Sequence, residues 1–71
     1  MKFHISRINT EYGTMRLTGN IFNAKTDKET IELIQLDIMG TDGWVGLDIN
    51  AETTIELVNK IMQQVQNHLN L

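Results

Sequence analysis

The tetrapeptide Gly40-Thr41-Asp42-Gly43 constrains this chain more than any other feature, because it is a tight-turn signal with β-forming residues on both sides. With Thr41 and Asp42 as the turn residues, Ile38 faces Val45, Leu36 faces Leu47 and Ile34 faces Ile49. Every apolar residue in those pairs then falls on one face, so turn length and side-chain phase agree. Two non-glycine residues at positive φ would be strained; a type I turn with Gly43 in a bulge is the less strained form.

The same period of two appears earlier. Met1, Phe3 and Ile5 alternate with Lys2, His4 and Ser6, and the phase slips at Arg7 and Ile8, the mark of a bulge or of the strand's end. Alternation resumes with Met15, Leu17, Gly19 and Ile21. A register that sets Ile5 opposite Leu17 and Phe3 opposite Gly19 joins the two apolar faces, and the bare Gly19 leaves room for the Phe3 ring. Residues 23–29 form a charged loop, and residues 30–39 are apolar on both sides, as in a central strand.

After the last strand the period changes. Asn50 is a candidate N-cap and Glu52 complements the first turn of a helix. Thr54, Val58, Ile61, Met62, Val65 and Leu69 then form one stripe at helical spacing, with Glu56 and Lys60 placed to pair on the surface. The expected fold is α+β: a four-stranded antiparallel β-meander over residues 1–8, 14–23, 30–39 and 44–49, with one C-terminal α-helix over 51–69 packed on one face. Residues 1–71 make a single domain, since a chain of 71 residues buries only about 60% of its unfolded surface.

Composition narrows the function classes. There is no Cys, so disulfides and thiolate metal sites are excluded, and a homo-oligomer is one way to supply the missing core. A net charge of −3 argues against binding duplex nucleic acid. The alternating residues 1–6 lack the apolar core of a signal peptide and no transmembrane run occurs, so a cytoplasmic location and no membrane partner are expected.

No catalytic, metal or phosphate-binding motif stands out. His4 and His68 are the only histidines, one in a strand and one near a helix end, and neither has a partner acid at a recognisable spacing. Asp37 and Asp48 both point away from the helix in the register above and read as solvent-facing residues rather than an acid/base couple. The chain is expected to be no enzyme and to need no cofactor.

The face away from the helix is more telling, because it collects Arg16, Phe22, Ile31, Leu33 and Trp44 among short polar residues. Either this is an apolar patch, or a bulge near Ile34 returns Ile31 and Leu33 to the core and leaves only Phe22 and Trp44 outside. Arg7, Tyr12, Arg16, Phe22, Leu33 and Trp44 are the interface or ligand candidates.

The expected function is a small protein-binding module, a homodimer that acts by occupying a target protein's surface. In size and in its Ile-, Asn- and Thr-rich composition the chain resembles, in style, the small accessory proteins of bacteriophages, which include inhibitors of host defence enzymes. The alternative is a protein that sequesters a small nucleotide-like ligand through an arginine and an aromatic ring. A third reading makes Phe22 and Trp44 stacking platforms for single-stranded nucleic acid, against which the acidity counts.

The helical stripe generates one prediction. Ile61→Asp should abolish the folded state, because helix and sheet stabilise each other only through that stripe; a cooperative thermal melt near that of the wild type would refute the packing.

Overall fold

A computed structural model describes all residues, Met1–Leu71. Four strands, β1 (Lys2–Thr10), β2 (Gly13–Phe22), β3 (Thr30–Gly40) and β4 (Gly43–Leu47), form one antiparallel sheet in sequential order, followed by helix α1 (Glu52–His68). This is the expected ββββα arrangement, with β1 running on to Thr10 and β4 stopping at Leu47.

Both hairpins close alike. Gly40 pairs with Gly43, and Thr10 with Gly13, across two-residue turns. Gly13 and Gly43 carry the positive φ in each, so Glu11, Tyr12, Thr41 and Asp42 escape the left-handed region. Ile38 pairs with Val45 and Leu36 with Leu47, as the turn length requires. Ile34 has no such partner in Ile49, because β4 ends first and Ile34 is the extra residue of a β-bulge: Thr18 pairs with Gln35 while Gly19 pairs with Leu33.

That bulge settles the two alternatives for β3. Ile31 and Leu33 turn to the inner face and pack against the core, whereas Ile34 is turned out and 49% exposed. The expected outer patch therefore loses Ile31 and Leu33. In β1 the phase slip is likewise a bulge, with Ile5 opposite Leu17 and Ile8 opposite Met15, and the strand continues past it.

The core consists of Phe3, Ile5, Ile8, Met15, Leu17, Ile21 and Leu36 from the sheet with Ile61 and Val65 from the helix. The helix lies nearest β1, so the inner face is less well covered towards β4, where Val45 is 51% exposed. The helix ends differ from expectation. Asn50 does not cap; Asp48 takes the Asn50 N–H on its own Oδ1 at 3.0 Å, and α1 starts one residue later behind Ala51, which has no side-chain cap. At the other end Asn70 adopts φ 63°, the Leu71 N–H bonds the Gln66 carbonyl and the Asn70 N–H bonds that of Asn67, a Schellman closure with Asn in the usual glycine place. Glu56 and Lys60 form no ion pair; the Lys60 ammonium stands 5.7 Å from the Tyr12 ring centroid instead.

Gly19 is the tightest point of the sheet. A Cβ there would collide with the Glu32 carbonyl oxygen and would reach 2.9 Å from the Phe3 ring. Gly19→Ala should lower stability by about 1–3 kcal/mol, measured by urea denaturation; an unchanged midpoint would show that the β3 backbone at Glu32 and the Phe3 ring both give way at no cost.

Candidate functional site

Antiparallel registry builds the outer face in rows. His4, Thr18 and Gln35 form one row across β1, β2 and β3. Arg16, Asp37 and Gly46 form the next across β2, β3 and β4, with Ser6 beside Arg16 in the β1 bulge. These rows enclose a shallow hollow of about 290 Å³ lined by His4, Ser6, Arg16, Thr18, Gln35 and Asp37, without a single hydrophobic residue.

The hollow is organised around Asp37. Its side chain is 7% exposed, and its Oδ2 accepts from Arg16 Nε at 2.7 Å and from Gln35 Nε2 at 3.2 Å. A carboxylate this enclosed needs such donors, since desolvation without them is costly. Gly46 leaves room for the carboxylate, since a Cβ at that position would stand 3.3 Å from Asp37 Oδ1, a tight approach.

Arg16 is fixed a second time. Its guanidinium carbon lies 4.7 Å from the centroid of the Trp44 ring, so the side chain reaches across β3 and rests on β4. Only Nε is spent on Asp37, and the Nη groups of the fork make no hydrogen bond within the chain. His4 Nδ1 shares a 2.9 Å hydrogen bond with Thr18 Oγ1, which joins the first two members of the hollow's first row.

Arg16 and Trp44 are thus brought together, and the other candidates are not. Phe22 is 46% exposed but sits six positions along β2 from Arg16, roughly 20 Å away at about 3.3 Å per residue, so it cannot share a ligand base or an anchor pocket with Trp44. This removes the paired stacking platform expected for single-stranded nucleic acid. Tyr12 covers Lys60 at the β1–β2 turn, Arg7 is exposed in the β1 bulge outside the hollow, and Leu33 belongs to the inner face. Asp37 and Asp48 do not share a face as a couple: the first is enclosed by Arg16, and the second holds the turn before the helix.

The residues missed by sequence reasoning are Asp37 as the organiser and Gln35, Ser6 and Thr18 as lining. Their signal is the pairing of β2 with β3, which sets Arg16 opposite Asp37 but is masked by the long intervening loop and the Ile34 bulge. No group of three or more His, Cys, Asp or Glu side chains is gathered in the structure, and no helix is long and apolar enough to cross a membrane. Compared with known proteins, the chain matches no protein-family model, no curated protein and no solved structure.

Arg16→Ala should destabilise the protein by about 1–3 kcal/mol, because it leaves an enclosed carboxylate short of its main donor. Adding Asp37→Asn in that background should restore part of the loss in urea denaturation. A double variant weaker than Arg16→Ala alone would show that the ion pair does not organise this face.

Proposed function

We propose that this chain is a non-enzymatic protein-binding module that works by occupying a target protein's surface with the outer face of its sheet. The observation that carries the reading is Arg16, held between the Asp37 carboxylate and the Trp44 ring with its Nη donors free. Arginine and tryptophan are the side chains that most often dominate binding energy, and an arginine already fixed by its neighbours loses little entropy on docking. The complementary group is an acidic side chain of the target, received by the open side of the fork.

The hollow suits docking better than catalysis. It is shallow and wholly polar, and His4 engages a hydroxyl with no carboxylate behind it to orient it as a base. Because Asp37 balances Arg16, the centre of the face is nearly neutral, and a second copy can meet it without strong repulsion; a homodimer through this face is part of the proposal. Small-ligand sequestration is the second reading, favoured by the hollow's volume beside an arginine and an indole. It ranks lower because the indole is already covered by Arg16 and no apolar residue lines the hollow to stack on a base.

The test combines light scattering with affinity capture by immobilised wild-type, Arg16→Lys and Trp44→Ala proteins. The expected result is a dimer, together with a partner protein retained by the wild type and lost by both variants, each weakening the complex by about tenfold or more. A strict monomer would remove the homodimer. Equal capture by all three proteins, or Trp44 fluorescence that responds to nucleotides and to no protein, would overturn the protein-binding reading.

A further inference from the structure

On the opposite side of the molecule β3 is only half paired. β4 accompanies it from Leu36 to Gly40, and residues 30–35 have β2 on one edge and no strand on the other. Their outward backbone groups find no partner among the chain's remaining hydrogen bonds. Natural sheets blunt such an edge with charged side chains, Pro, a bulge or a covering segment. Here the stretch has neither Lys nor Pro nor a covering segment, its one charge is Glu32, and its bulge turns out the apolar Ile34.

Beside that edge runs a groove of about 190 Å³ whose apolar wall is made by Ile31, Leu33, Ile49, Ile55 and Val58. It exists because β4 stops at Leu47 and the chain then leaves the sheet to begin the helix, so the inner side chains of Ile31 and Leu33 are only half covered. Ile55, on the helix side, is left 47% exposed.

Charge identifies what fits there. Between Lys28 and Lys60 the chain has no Lys or Arg and seven of its nine carboxylates, and the groove is lined entirely from that stretch. The single ion pair in the molecule neutralises Asp37 alone. The groove's own lining is uncharged and the one charge on the open stretch is Glu32, so two copies of this chain meeting at the edge would bring the Glu32 carboxylates of both into the same seam.

We infer that the open edge of β3 is a second binding site, which takes an extended segment of another protein as an added antiparallel or parallel strand. That segment carries an aliphatic residue at every second position, to enter the groove, and Lys or Arg between them, to face Glu32. Six unpaired residues span about 20 Å, the length of an ordinary strand. The site is independent of Arg16 and Trp44, which lie on the other face.

The experiment uses a blocked peptide of roughly six residues alternating Val with Lys, titrated into the whole protein with amide hydrogen exchange as the structural readout. Saturable binding should slow exchange in residues 31–35. Ile55→Lys, at an exposed position that the fold does not need, should weaken binding by about tenfold or more, as should exchanging the peptide's Lys for Glu or N-methylating the amides along one of its edges. Trp44→Ala should leave it unchanged. Equal binding of the Glu peptide, indifference to Ile55→Lys, protection appearing along β1 instead, or no binding at low salt would each overturn the proposal. So would a dimer of the free protein that Ile55→Lys dissolves, which would make a second copy the occupant.

Discussion

One extra residue in β3 arranges both faces of this protein. Side chains in a strand alternate with a period of two, so an inserted residue exchanges inner and outer positions beyond it. Before the bulge at Ile34 the odd-numbered Ile31 and Leu33 face the helix; after it the even-numbered Leu36 and Ile38 do. Without the bulge, Leu36 and Ile38 would share a face with Ile34, and Ile31 and Leu33 would be stranded outside. The same change of phase sends Gln35 and Asp37 outward, where they meet Arg16. Core and candidate site therefore depend on one local irregularity.

The bulge also explains what the sequence shows directly and what it hides. A two-residue turn ties strand register to chain position, so the pairs Ile38–Val45 and Leu36–Leu47 follow from it directly, whereas Phe3–Gly19 and Ile5–Leu17 lie beyond the β1 bulge and follow from side-chain phase alone. β2 and β3 are joined by a seven-residue loop that sets no register, and the bulge breaks the phase that would otherwise restore it. The Arg16–Asp37 pair lives on that junction and is legible only in three dimensions. Helix ends are hidden for another reason: Asp48 and Asn50 compete for the backbone groups ahead of the helix, Asn70 closes its far end through its own backbone, and the outcomes depend on how the chain leaves β4 and where Leu71 can pack.

Trp44 illustrates how partial legibility misleads. From sequence it is an exposed aromatic to be grouped with Phe22, because both fall on the outer phase. In the fold the two lie far apart along the sheet, and the nearer neighbour of Trp44 is a cation from a strand two places away. An aromatic ring covered by a guanidinium is no longer a free stacking surface; it is a support that orients the guanidinium. The chemistry of the face moves from the ring to the Arg16 fork.

The distribution of charge follows the topology as well. The cations occur mostly in the first hairpin and the loop after it, and the carboxylates mostly in β3, on either side of β4 and in the first half of the helix. A meander keeps sequence neighbours adjacent in space, so this separation along the chain becomes a separation across the sheet, from β1 to β4. Such a molecule presents different electrostatics at its two edges although its net charge is only −3. The early end of β4 coincides with the acidic side, so the one stretch of central strand left without a neighbour is also the stretch where another copy of this chain is least welcome. An open edge that repels its own kind and has an apolar groove beside it selects for a foreign strand rather than for aggregation.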